Sequence, residues 1–166
     1  MLRAVLRHAE EAVSVFLGIV LFGVLLWQVF TRYVLNDPSI WSEEAARFLY
    51  VGVVFFGAAA AVRDRSHLGM PFLLDHLPRS LALAVTLLTR TLTLGFCVEI
   101  SIYGYRAALS DWDLPSLAME IPLGLPLAVV PIAMALAGIR TAIGMAEDIA
   151  AWRRGETLAA SAARDL

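Results

Sequence analysis

Lysine is absent from this chain of 166 residues, and Cys97 is its single cysteine. One cysteine excludes an internal disulfide, and a thiol set in an apolar stretch reads as inert packing. Charge is scarce as well, at 17% of residues with a net charge of −2. No basic run stands out, so nothing points to a nucleic-acid partner. The three histidines are badly placed for cofactor chemistry. His8 precedes the first apolar stretch, and His67 and His76 follow the second, so none lies at the helix depth that haem ligation requires. No cysteine pair, closely spaced His-Glu set, phosphate-cradling glycine loop or Gly-x-Ser-x-Gly occurs. Long polar segments are missing too. The connections run about 15 residues each, too short for a soluble catalytic domain. The sequence therefore assigns no catalytic, cofactor-binding or metal residue, and an enzyme is not indicated.

What the chain has in abundance is apolar sequence, with 60% hydrophobic residues and a mean hydropathy of +0.74. A soluble surface of that composition would aggregate. Four apolar stretches each approach the roughly 20 residues that cross a bilayer as a helix. They cover 12–31, 48–62 with an extension back toward Ser42, 80–105 interrupted by Arg90 and Glu99, and 121–139. The expected fold is an all-α membrane protein with four transmembrane helices. Residues 1–152 form the membrane domain and 153–166 a flexible cytoplasmic tail. A cleaved signal peptide is the competing reading of the N-terminus, since Arg3 and Arg7 precede an apolar run. That run is long for a signal, and it ends in Trp-Gln-Val-Phe-Thr-Arg-Tyr rather than in a small-residue cleavage site. It is read as a retained first helix.

Orientation follows from arginine. Arg3, Arg7, Arg63, Arg65, Arg79, Arg153, Arg154 and Arg164 fall on one side of the spans, and only Arg32, Arg47 and Arg106 fall among the acids of the other. The positive-inside rule then places both termini and the middle loop in the cytoplasm. Trp27, Trp41 and Trp112 near one interface and Trp152 near the other agree with an aromatic belt.

Asn36-Asp37-Pro38-Ser39 is turn chemistry after the first span. Ser42 reads as the N-cap of the second, with Glu43 and Glu44 in its first turn facing the helix dipole. Glu43 and Arg47, four apart, share a face and can pair. Ser14 with Gly18, Gly57 with Ala61, and Gly138 with Ala142 are small-residue pairs that let helices approach closely in lipid. In the middle loop, Met70, Phe72, Leu73, Leu74 and Leu77 fit a short amphipathic interfacial helix between spans two and three. An irregular loop touching lipid or protein fits them equally. Arg90 and Glu99 are nine residues apart, on opposite faces of one helix, and so do not pair with each other. Two readings stay open: at least one meets a partner subunit, or each snorkels to its nearer interface. In the last span, Pro122 suits a first turn, whereas Pro126 and Pro131 would loosen or kink the helix as a packing feature.

The stretch QVFTRYVLNDPSIWSEEAARFLYVGVVFFGAAAAVRDRSH, from Gln28 to His67, resembles the small membrane subunit (DctQ type) of tripartite ATP-independent periplasmic (TRAP) transporters. The matching features are Arg-Tyr-Val-Leu-Asn leaving the first span, Trp-Ser-Glu-Glu-x-x-Arg entering the second, and Gly-Ala-Ala-Ala-Ala-Val-Arg before His67. The resemblance implies a large polytopic partner of the DctM type that holds the substrate and sodium sites, and a periplasmic substrate-binding protein. It implies sodium-driven uptake of an organic acid across the bacterial inner membrane, with this chain as scaffold. No cofactor is expected on the chain itself. Arg32, Trp41, Glu43, Glu44 and Arg47 become contact candidates at the periplasmic face, Arg63 and His67 at the cytoplasmic end of the second span, and Arg90 and Glu99 within the bilayer. An acidic residue that often follows the histidine segment is replaced here by the run into Pro71. Two other classes remain for comparison. A redox-complex anchor would need histidines at depth, and a free-standing small carrier would need more polar residues converging on one lumen than Gln28, Arg90 and Glu99 supply.

Overall fold

The computed structural model describes residues 2–63 and 78–154. Four helices dominate: α1 over Leu2–Tyr33, α2 over Ile40–Arg63, α3 over Arg79–Ser110 and α4 over Gly124–Arg153. Each is long and apolar enough to cross a membrane. The segment expected as an interfacial helix lies outside the described residues, as do His67 and residues 155–166.

The helix boundaries refine the sequence reading at two places. α2 begins at Ile40, so Ser39 stands just ahead of the helix and Ser42 lies within its first turn, not at the cap. α4 begins at Gly124, not Ile121, and continues well past Ile139 to Arg153. Pro122 is consequently outside the helix, in an isolated bridge with Pro115. Pro126 falls in the first turn, where the missing N–H has no intrahelical acceptor to lose. Only Pro131 is interior to α4.

Packing follows the order α1–α2–α4–α3, with α4 between α2 and α3 and with α1 and α3 at the two edges. Helices in lipid gain little from burying apolar surface against one another, so close backbone approach has to hold them together. Small side chains provide it. Ala59 of α2, Cys97 of α3, and Met134 and Ala137 of α4 form the common core, flanked by Phe55, Ile100 and Val130. Between α1 and α2, the Ser14 hydroxyl donates to the Val53 carbonyl at 3.2 Å. Between α3 and α4, a Cβ on Gly104 would stand 3.1 Å from Cδ of Pro131. Gly104 thus makes room for a rigid ring, and the Ser101 hydroxyl donates to the Pro131 carbonyl at 3.2 Å. The proline seats α4 on α3.

Gly57 lies against Ser14 and Gly138 against Cys97, while Gly18 meets nothing within 4 Å and Ala142 is exposed. The large apolar side chains point outward instead, among them Phe16, Ile19, Phe22, Leu88, Leu92 and Phe96, all at least 60% exposed. That inversion suits hydrocarbon as the solvent.

Candidate functional site

Two polar constellations hold this apolar fold, one at the α1–α2 turn and the α3–α4 loop, the other between α3 and α4. The first gathers where the α1–α2 turn meets the α3–α4 loop. α1 closes through Asp37 N–H donating to the Thr31 carbonyl at 3.1 Å, with Asn36 at φ 52° in the left-handed region. Asparagine tolerates that conformation because its short side chain bonds locally. A chain of hydroxyls crosses the turn. Ser39 Oγ lies 3.4 Å from Thr31 Oγ1 and 2.7 Å from Ser42 Oγ, and Ser42 donates to the Ser39 carbonyl at 2.7 Å. Ser42 and Thr31 are both buried. Buried hydroxyls need such partners, since an unmet one costs more than the bond itself gains.

The two glutamates of the Trp-Ser-Glu-Glu segment divide their work. Glu43 pairs with Arg32 at the end of α1, not with Arg47, so the i,i+4 pairing expected from spacing gives way to a tertiary one. Both side chains are nearly half exposed. Glu44 turns the other way. Its Oε2 accepts the backbone N–H groups of Ala118 at 2.9 Å and Met119 at 3.0 Å. The loop it grips is itself folded back. Ser116 N–H donates to the Ile121 carbonyl at 2.8 Å, and Leu123 N–H to the Leu114 carbonyl at 2.9 Å. Glu120 takes φ 54° at the reversal, and Leu117 at the tip is fully exposed. One carboxylate thus fixes the loop between α3 and α4 to the start of α2.

The second constellation is buried. Arg90 Nε of α3 lies 2.7 Å from Asp148 Oδ2 of α4, with side chains 5% and 2% exposed. A Cβ on Gly144 would fall 2.0 Å from Nη1 of Arg90, so only glycine leaves space for the guanidinium. Neither partner subunit nor snorkelling is needed to explain Arg90, whose counter-charge comes from its own chain. The sequence reading missed Asp148 because it ended the last span at Ile139. The signal was present: an acid near the end of one helix and an arginine near the start of its antiparallel neighbour.

The other candidates are placed as follows. Trp41 and Arg47 are exposed at the start of α2, and Arg47 has no ion pair or side-chain hydrogen bond among the described residues. Arg63 ends α2. Glu99 is exposed on α3, and it too has no such partner among the described residues. Between α3 and α4 runs an open groove of about 350 Å³ lined by Leu94, Val98, Ile102, Met134 and Ile139, among others. Its lining is apolar but for Ser101, whose hydroxyl is already committed to Pro131. That is no pathway for a polar solute.

The fold defines a multi-pass α-helical membrane protein in which the Arg32–Glu43, Glu44 and Arg90–Asp148 contacts tie helices together. Comparison with known proteins places it further. The profile of the DctQ component of tripartite ATP-independent periplasmic transporters matches residues 21–151, and the chain belongs to that family. That family's description is of a transporter component. The sialic acid TRAP transporter small permease protein SiaQ of Vibrio cholerae is 39% identical over 108 residues, covering 65% of this chain and 62% of that protein. The sialic acid TRAP transporter permease protein SiaT of Haemophilus influenzae is 37% identical over 76 residues, covering 46% of this chain but 12% of that much longer protein. The C4-dicarboxylate TRAP transporter small permease protein DctQ of Vibrio cholerae is 26% identical over 136 residues, covering 68% of this chain and 59% of that protein. The chain spans about three fifths or less of the length of these curated relatives.

Proposed function

We propose that this chain is the small membrane subunit of a secondary transporter in the bacterial inner membrane, and that it braces a larger polytopic subunit which carries the solute. The observation that carries the reading is the family match over residues 21–151. The likeness to 12% of a much longer permease supports it, because in that relative a segment like this one is covalently joined to a larger chain. The architecture points the same way: α1 and α3 leave two open edges, and the groove between α3 and α4 is apolar.

Sodium, in this reading, binds the large subunit and its gradient drives uptake. A periplasmic substrate-binding protein delivers the solute. The solute is an organic acid, and sialic acid is favoured over a C4-dicarboxylate because identity is 39% to the sialic acid relative and 26% to the other. In this reading both termini face the cytoplasm, which the arginine distribution supports. Trp41, Glu43, Glu44 and Arg47 then sit at the periplasmic face.

The test is purification of the tagged chain from its native membrane in mild detergent, with mass spectrometry of co-eluting proteins. A stoichiometric polytopic partner is the expected result. A chain that elutes alone under conditions that keep a crosslinked control intact would overturn the reading.

A further inference from the structure

The row of helices has two edges, and they differ in chemistry. The outward face of α1 carries Phe16, Ile19, Phe22, Leu26 and Val29, and residues 12–31 contain no ionisable side chain. Hydrocarbon satisfies such a face. The outward face of α3 is different. At 100° per residue, Glu99 lies directly opposite Arg90 and Ala108, the buried side that meets α4, and shares its stripe with Leu88, Leu92, Phe96 and Tyr103. Those four are 60–66% exposed.

The depth of Glu99 is the deciding quantity. It stands eleven residues before Ser110, the last residue of α3, or about 16 Å along the axis. α3 is about 48 Å long against a hydrocarbon core of about 30 Å, so a centred helix overhangs by about 9 Å at each end. The Glu99 backbone is then about 7 Å inside the apolar layer, beyond the reach of a glutamate side chain of about 4–5 Å. Arg106, the cation on the same stripe, is two turns away, about 10 Å. A carboxyl group at that depth faces protein or water, not lipid.

We propose that the outward edge of α3 is the face that docks on the large transport subunit, whose abutting membrane helix presents an arginine or lysine to Glu99. The proposal rests on the small-subunit reading and adds which edge is used and what chemistry meets it. Arg90 has no part in this contact, since its charge is met by Asp148. The α1 edge faces lipid.

A photo-crosslinking residue placed at Phe96 or Tyr103 on the α3 edge, or at Phe22 on the α1 edge, tests this in the chain co-expressed with its large permease. Adducts with the permease are expected at the α3 positions, about tenfold above Phe22. Glu99→Lys is expected to lower the recovered permease about tenfold, with Glu99→Gln retaining most of it because the amide still accepts a hydrogen bond. Adducts chiefly at Phe22, or undiminished recovery with Glu99→Lys, would overturn the docking assignment while leaving the subunit reading intact. An unaltered chain that recovers no permease would sink both. If Glu99→Lys fails to fold, the crosslinking positions, which keep Glu99, decide the matter.

Discussion

Replacing Asp148 by Asn should destabilise the protein by more than any other single polar change among the described residues. The Arg90 guanidinium would stay 5% exposed, with its charge no longer balanced by the carboxylate. Breaking a buried ion pair by removing one partner costs about 3–5 kcal/mol, because the remaining charge stays desolvated. Replacing both partners with apolar residues, Arg90→Met with Asp148→Leu, removes both charges and should recover most of that loss. Gly144 adds an independent handle. Gly144→Ala sets a methyl 2.0 Å from Nη1, so either the guanidinium leaves its partner or the helices part, at about 1–3 kcal/mol for overpacking. In an Arg90→Met background that clash disappears. Unfolding the purified chain by SDS titration in mixed micelles, followed by tryptophan fluorescence, gives each free energy, and the double-mutant cycles give the couplings. Two results would refute the reasoning: Asp148→Asn costing less than about 1 kcal/mol, or Gly144→Ala costing the same with and without Arg90.

Glu44→Ala removes the shared acceptor of the Ala118 and Met119 N–H groups. Hydrogen exchange across 114–123 should accelerate, with exchange in the centre of α4 unchanged; unaltered loop exchange would show that the fold-back alone holds the loop. Exchanging the charges of Arg32 and Glu43, a pair that is nearly half exposed, should shift stability by no more than about 1 kcal/mol in the same titration. Reversing Glu43 and Glu44 together to Lys should impair uptake by the assembled transporter, because the α3–α4 loop loses its anchor; normal uptake at normal expression would remove any role for that pair.

The four helices were legible because hydropathy over about 20 residues is a strong signal and the bilayer fixes the length. Legibility failed at polar residues whose partners are distant in the chain. Local spacing offered Glu43 an i+4 arginine, and a tertiary arginine took its place. Nothing local to Glu44 shows that a loop 74 residues onward supplies its two donors. Arg90 seemed to lack a partner only because the last span was drawn short, leaving Asp148 out of view. Pro126 reads as a kink only when the span starts at Ile121: moving the start of α4 to Gly124 turns it into a first-turn residue. In each case the residue type was read correctly and its partner was not, since sequence separation says little about which helices become neighbours.

The placement of the two polar fasteners explains why a row this open can hold its shape. Within lipid, apolar side chains gain little by leaving one another for hydrocarbon or the reverse, so each helix contact rests on small-residue packing and a few polar bonds. Such packing resists separation but permits helices to slide along one another. A bond at one end of a pair limits sliding only at that end. Here Glu44 fixes the α3–α4 loop to the start of α2, while Arg90 and Asp148 join α3 to α4 well along toward the opposite end. Pro131 against Gly104 sits between them. With α3 and α4 joined at two levels and their loop tied to α2 at one end, axial sliding would break one of these contacts. The fasteners of α1 are weaker, a half-exposed Arg32–Glu43 pair at the turn and the Ser14–Val53 hydrogen bond farther down. If the chain braces a larger subunit as proposed, the α2–α4–α3 unit is the part best held together, and it is the unit whose free edge carries Glu99.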